Sequence, residues 1–434
     1  MLPVPRARLR CRRAAWAVSC ALLVACGDDA EAPDGGMRDD SGTIAHADAG
    51  PLVPGSLSSL HAVRWLDARH DHTCALDDGV ARCWGPNNHG QLGDGTNTGE
   101  ACGILEVCKA TPVKVMGPSN LLGVGAGKHH TCASGEEGGL WCWGENADGQ
   151  LGLGRTSGTM CVAGPACEPS PLEVDLPATQ IVGITGGQRH TCVHTVTGEP
   201  WCWGGNDRGQ LGDGSTTPRA APGRVHALDR IVRIASTLAT TCAVRDDATL
   251  WCWGANDAGQ LGRGTSDTEA HPEPERVAEI PGVRDVALAS THACAVDLDG
   301  GVWCWGASAG GVLGSTTEAR IQAPARVAGV EGAREATVGP AHSCALGKGG
   351  VFCWGSNEFG QLGRATVDTK PHLEPAPVER LDDFAIAIAS GDEHVCVLYE
   401  GGRVMCWGSN LVGALGRGAL DSTPHPEPQD VAGL

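Results

Sequence analysis

Tyrosine occurs once in this chain and phenylalanine three times, so no tyrosine- or phenylalanine-rich core or channel is available to it. No segment approaches the roughly 20 consecutive apolar residues that a membrane-spanning helix requires. Basic residues are outnumbered, 32 against 51 acids, and the formal net charge of −19 argues against a nucleic-acid or anionic-membrane footprint. What stands in place of these features is 64 glycines, 26 prolines, 21 cysteines and 13 tryptophans in 434 residues. That length suits two or three ordinary domains or one large repeat array.

The first 25 residues read as an export signal and are set aside from the fold. Arg6, Arg8, Arg10, Arg12 and Arg13 form a basic start with no acid, and the apolar stretch Ala14 to Ala25 is too short to cross a bilayer. It closes Leu23-Val24-Ala25-Cys26, which resembles the lipobox of bacterial lipoproteins. That resemblance implies cleavage before Cys26, lipidation of Cys26 and attachment to the cell envelope. Gly27 stands where an aspartate would mark inner-membrane retention, which points to the outer membrane or the cell surface. Loss of five arginines takes the charge from −19 to −24. Residues 26–57 follow as an acidic tether: positions 27–57 carry seven acids against the single Arg38. Such a segment buries too little apolar surface to order itself. As a random coil it would hold the next domain on the order of 30 Å from its anchor.

From residue 58 to 434 one phrase recurs. The tryptophans of seven Cys-Trp-Gly triplets are Trp84, Trp143, Trp203, Trp253, Trp305, Trp354 and Trp407, at intervals of 59, 60, 50, 52, 49 and 53 residues. Each unit has short β-type runs separated by Gly, Asp and Asn turns, with no helical period. Units of about 50 residues with periodic glycine and tryptophan predict an all-β, seven-bladed propeller. The pattern G-x-x-H-x-C-A-L, then C-W-G-x-N-x-x-G-Q-L-G, resembles the regulator of chromosome condensation repeat, whose propeller has seven blades. Departures are local: Ser308 replaces Asn, Val312 and Ala414 replace Gln, and Thr240 replaces the repeated histidine. The chain's last segment, Pro426 to Leu434, resembles the opening of a unit, so the two ends are expected to complete the ring together.

Cys11 and Cys20 leave with the signal and Cys26 takes the lipid, which leaves 18 cysteines, an even number in an exported chain. Fourteen form repeat pairs: Cys74 with Cys83, Cys132 with Cys142, Cys192 with Cys202, Cys242 with Cys252, Cys294 with Cys304, Cys344 with Cys353 and Cys396 with Cys406. The Asp78-Gly79 turn centres the first pair on a two-residue hairpin. Counting outward makes Cys74 and Cys83 a non-hydrogen-bonded cross-strand pair, about 4.5 Å apart. Pairs spaced by ten need a three-residue loop with glycine third; Gly138, Gly198, Gly300 and Gly402 fall there, while Ala248 predicts strain in the fourth hairpin. Strand alternation puts Trp141 and Trp143 on one face and Cys142 on the other, so tryptophan fills the space between blades.

Candidate chemistry is sparse. His72, His130, His190, His292, His342 and His394 recur once per blade, too far apart around the axis to share a metal, and read as structural groups bonded to nearby backbone. Gly306-Ala307-Ser308-Ala309-Gly310 fits a nucleophile elbow without the strand-turn-helix it needs. His271-x-Glu273, His372-x-Glu374 and His425-x-Glu427 could bind metal, though each precedes a proline and reads as a stiffened edge. No catalytic residue, cofactor or metal site is assigned.

Two inserts break the repeat. Copies one and two are longer by about eight residues, and each adds a cysteine pair, Cys102 with Cys108 and Cys161 with Cys167. Both fall after the G-Q-L-G turn and should stand side by side on one rim, where loops on a rigid scaffold bind partners. The candidate rim residues are Ile104, Leu105, Glu106, Val107, Met160, Val162 and Pro165. The expectation is a non-enzymatic, monomeric binding propeller with an unknown protein partner, touching the membrane only through its lipid. The resemblance implies binding roles such as nucleotide exchange on a small GTPase, chromatin binding or β-lactamase inhibition; an exported acidic chain suits only the last kind. The alternatives are an envelope polysaccharide lyase or hydrolase, or a purely structural surface protein.

Overall fold

The computed structural model describes residues 65–434 apart from 104–105, 163, 178–179, 309, 315–319 and 382–383. The expected signal peptide, Cys26, the tether and residues 58–64 lie outside the described residues. Seven antiparallel sheets follow one another along the chain, spanning residues 65–114, 121–173, 181–224, 231–277, 283–327, 335–377 and 385–430. In each, the first strand lies innermost; in blades three to seven successive strands pair outward in a meander, while in blades one and two the strand fourth in chain order lies outermost, outside the fifth. Runs such as His130–Gly135 are buried along their whole length, as a central strand covered on both faces must be.

The hairpins follow the turn chemistry. Asp78 and Gly79 both have positive φ, 47° and 73°, the backbone of a two-residue hairpin whose twist matches its strands. In the second blade the Gly138 amide donates to the Gly135 carbonyl and the Gly135 amide to Gly139, which closes a three-residue loop with left-handed Gly138 third. Ala248 occupies the same place at φ 61°, a conformation that costs a residue with a Cβ.

These turns set the register of the cysteines. Cys74 stands opposite Cys83, Cys132 opposite Cys142, Cys192 opposite Cys202 and Cys242 opposite Cys252. Cys294 likewise faces Cys304, Cys344 faces Cys353 and Cys396 faces Cys406. Each pair is joined as a disulfide with Cα atoms 4.1 Å apart, slightly closer than the spacing expected of an ordinary non-hydrogen-bonded pair.

Between blades one arrangement repeats seven times. The cystine of each blade packs against the marker tryptophan of the next. Cys74 and Cys83 meet Trp143, Cys132 and Cys142 meet Trp203, and Cys192 and Cys202 meet Trp253. Cys242 and Cys252 meet Trp305, Cys294 and Cys304 meet Trp354, and Cys344 and Cys353 meet Trp407. Cys396 and Cys406 complete the circle on Trp84. Every one of these tryptophans is fully buried, so each wedge contributes a large apolar burial. The indole N–H is satisfied across the same interface, where Trp143 donates to the Gln91 carbonyl at 2.9 Å and Trp203 to Gln150 at 2.9 Å. The acceptor is main chain. Val312 and Ala414 can therefore replace glutamine: their carbonyls still receive Trp354 and Trp84, each at 2.8 Å.

Ring closure corrects an expectation. The two ends of the ring do meet, but among the described residues no sheet draws strands from both; blade one lies within 65–114 and blade seven within 385–430. They are joined as most neighbouring blades are, by Trp84 on the Ala414 carbonyl, by Thr73 to His394 at 2.9 Å, and by the Gly418 amide on Ala110.

Candidate interaction surface

The two inserts are not loops. Glu100–Gly103 and Thr159–Cys161 are short fifth strands on the outer edges of blades one and two. Each is held to the strand that follows it by a disulfide, Cys102–Cys108 or Cys161–Cys167. The hairpins are neighbours, since the Asn97 side-chain amide donates to the Met160 carbonyl at 3.4 Å.

Of the rim residues, Glu106 is exposed at the start of its strand, and Val107 is half-buried with its amide on Asn88 Oδ1 at 2.8 Å. Met160 is 74% exposed and Val162 45%. Pro165 lies in the strand Gly164–Glu173, and Ile104 and Leu105 lie outside the described residues.

What these strands change is the edge of the sheet. In blades three to seven the outermost strand contains proline: Pro222; Pro272 and Pro274; Pro324; Pro371, Pro375 and Pro377; Pro426 and Pro428. Proline removes a donor and blocks strand addition at an exposed edge. Blades one and two carry such prolines on their fourth strands, Pro112 and Pro171, but before them, along 106–108 and 164–167, each adds a fifth strand that has none. An unguarded edge beside an exposed methionine and valine is suited to pairing with another chain.

One face next to these blades is crowded with charge. His70 Nδ1 meets an Asp392 carboxylate oxygen at 3.1 Å, which ties blade one to blade seven. Asp71 keeps part of its side chain in water, yet desolvation, then the charge of Asp392, lifts its carboxyl to about 6. Glu106 of the inserted hairpin adds to that rise. His129 stacks on His89 with ring centroids 4.4 Å apart, and burial, then this neighbour, pushes His129 down to about 2.

The repeated histidines differ from expectation in their partners. They bond not to nearby backbone but to a hydroxyl of an adjoining blade: His72 Nε2 to Thr131 at 3.0 Å, His130 to Thr191 at 2.8 Å, His190 to Thr241 at 3.0 Å, His292 to Ser343 at 3.1 Å and His394 to Thr73 at 2.9 Å. Two interfaces lack the bond. Blade four has Thr240 instead of histidine, and its own hydroxyl turns to the Ala255 carbonyl at 3.1 Å. His342 faces a blade with Val395 at the hydroxyl position, and both its ring nitrogens are unpartnered.

The H-x-E-P histidines are also engaged. His271 Nε2 meets Asp267 at 2.9 Å while Arg263 donates to its Nδ1 at 3.0 Å; His372 pairs with Asp368 and Arg364, and His425 with Asp421. Arg263, Arg364 and Arg417 each donate onward to the carbonyl of the blade's own disulfide cysteine, Cys252, Cys353 or Cys406. These clamps tie outer strand to hairpin. Their spacing, R-x-x-x-D-x-x-x-H in all three copies, stands in the sequence but is overshadowed there by the metal-like H-x-E. Among the described residues no group of three or more His, Cys, Asp or Glu is arranged to hold a metal ion. Ser308 follows a strand and leads into the turn 310–313, with no helix after it among the described residues.

A family model described as the RCC1-like domain matches residues 16–343 and 102–434. The ultraviolet-B receptor UVR8 of Arabidopsis thaliana is 32% identical over 193 residues, covering 43% of this chain and 40% of that protein. Human RCC1 domain-containing protein 1 is 33% identical over 226 residues, or 44% and 56% of the two chains. The match thus spans about half or less of these relatives' own length. Among solved structures, yeast RCC1 (Prp20) bound to Kap60 superposes with a TM-score of 0.69 at 19% identity, covering 90% of this chain and 91% of that one. Human WBSCR16 superposes with a TM-score of 0.69 at 22% identity, covering 81% and 94%. At such identities the two structures speak for the fold alone.

Proposed function

The chain belongs to the RCC1-like domain family, and from that premise we propose that it is a non-enzymatic propeller that captures a protein partner through the outer edge of blades one and two. The observation that carries this reading is the pair of disulfide-held fifth strands, which present proline-free edges where the other five blades keep proline. Support from relatives is of a general kind: yeast RCC1 is described in complex with Kap60 and by its binding to Gsp1p and histones. We further propose that Cys26 carries a lipid that anchors the protein to a bacterial envelope, at the outer membrane or cell surface. The arginine-rich start, the sequence Leu23-Val24-Ala25-Cys26 and a disulfide-dense propeller all suit an oxidising compartment.

The test compares Met160→Asp with Val162→Asp in one chain against Val367→Asp, an exposed valine on blade six. Partners drawn from envelope extract by the wild type and by Val367→Asp should be lost with the double variant. Equal capture by all three would place the binding surface elsewhere. For the anchor, Cys26→Ala should move the protein from the membrane fraction to the soluble fraction and abolish labelling by a radioactive fatty acid.

A further inference from the structure

The inner strands of six blades enclose a cavity of about 420 Å³ on the ring axis. Its walls are amphipathic. Ile184, Ile234, Val286 and Ile386 supply apolar surface, and Arg69, Arg233 and Arg334 bring three guanidinium groups into it. Arg233 does not recur from blade to blade: the residues matching it by register are Trp65, Gly123, Gly183, Asp285, Glu335 and Ala387.

The carboxylates here are committed to the frame. Asp67 Oδ2 accepts the Ala126 amide of blade two at 2.8 Å. Asp285 accepts Arg233 Nε at 2.8 Å on one oxygen and the Ala336 amide at 2.9 Å on the other. Glu335 accepts the Ile388 amide at 3.2 Å and Arg233 Nη2 at 3.4 Å. The guanidinium groups are less fully used. Arg69 reaches across the axis from blade one to the Ser236 carbonyl of blade four with Nη1 at 2.9 Å, and its Nη2 has no partner among the described residues. Arg233 is 42% exposed to the channel, and its Nη1 is likewise unpartnered among them. Spare N–H groups in a fixed fork, aimed into a cavity with aliphatic walls, match an anionic head joined to an apolar body.

We propose that the axial cavity binds a small organic carboxylate, its head on Arg69 and Arg233 and its aliphatic portion against the isoleucines. This site is independent of the edge of blades one and two. Its pH signature follows from the groups that face one another there. Burial pushes Glu335 up to about 7, with Arg233 opposing and Asp285 adding to the rise, while Arg334 also opposes. Burial likewise raises Asp67 against Arg69. When Glu335 takes up its proton, the three arginines face one negative charge fewer, so an anion is held more tightly at pH 6 than at pH 8.

Calorimetric titration of the full chain with hexanoate, inorganic phosphate and 1-hexanol tests the site. Hexanoate should bind saturably at one per chain, and the other two at least about tenfold more weakly, since each lacks half of the match. Arg233→Gln and Arg69→Gln should each weaken hexanoate about tenfold. Ile386→Trp, at a partly exposed wall position that costs the fold little, should block the cavity and abolish binding. Glu335→Gln should bind with no change between pH 6 and pH 8. Wild-type affinity in the Arg233→Gln and Ile386→Trp chains, phosphate binding equal to hexanoate, or no saturable binding at all would each overturn the assignment.

Discussion

The molecule contains the same covalent device in two settings, and the settings decide what it does. Seven disulfides join directly opposed cysteines inside the blades, with Cα atoms 4.1 Å apart, and each is fully buried against the tryptophan of the next blade. Two more, Cys102–Cys108 and Cys161–Cys167, hold outer hairpins with Cα atoms 5.9 and 6.2 Å apart, and Cys102 reaches the surface. The loops they close are of similar size, so their chain-entropy contributions are similar. Packing separates them. The inner seven belong to the cooperative ring, whereas the outer two fix a local feature that the ring does not need.

Acid should separate the two regions most widely. His72, His130, His190, His292 and His342 are each held down to about 3, burial being the first cause in every case. In an unfolded chain they return to about 6.5. Between those values the unfolded state binds protons that the folded state refuses, so stability falls as pH drops below about 6.5, by up to roughly 1.4 kcal/mol per histidine per pH unit. Urea midpoints at pH 7 and pH 4.5 measure this, and His190→Gln should lose part of the drop. A midpoint that holds steady to pH 4.5 would refute the buried neutral histidines. The inserted hairpins contain no histidine.

Removing one inner staple comes next. Cys192→Ala with Cys202→Ala should cost about 3 kcal/mol or more, because the cross-link is lost and a gap opens beside Trp253. Differential scanning calorimetry reads this as a lower midpoint. A smaller loss, about 1–3 kcal/mol, is expected for Thr241→Ala, which strands His190 and frees the Gln210 carbonyl of one bond. The interface between blades four and five naturally lacks this pair, with Thr240 opposite Ala293. Installing Thr240→His together with Ala293→Thr should therefore add about 1 kcal/mol there and make that interface acid-sensitive like its neighbours.

How much of this was legible in the sequence depends on whether a residue repeats. The seven marker tryptophans, the hairpin cysteines and the glycine third in four of the five three-residue loops announce themselves by recurrence, and blade number follows from them. The destination of each indole does not, because its acceptor is a main-chain carbonyl one blade back, and main chain is silent in a sequence. The inserts looked like loops because their strands are only four and three residues long. Arg69 and Arg233 were invisible for the opposite reason. They stand on inner strands, where the repeat leaves side chains free to vary, and only closure of the ring brings them to one axis.

The smallest effect on stability carries the sharpest test of the comparison. Cys161→Ala with Cys167→Ala should leave the calorimetric midpoint within about 1 °C of wild type, since a terminal edge hairpin opens locally without unfolding the sheet beneath it. The same variant should raise hydrogen exchange at 159–162, and it should lower partner capture, because Met160 and Val162 would no longer be presented on an ordered edge. If the midpoint falls as far as it does without Cys192 and Cys202, the outer hairpins belong to the cooperative ring. The edge of blades one and two would then be part of the frame, and the partner would have to be sought on the charged face around His70 and Asp392.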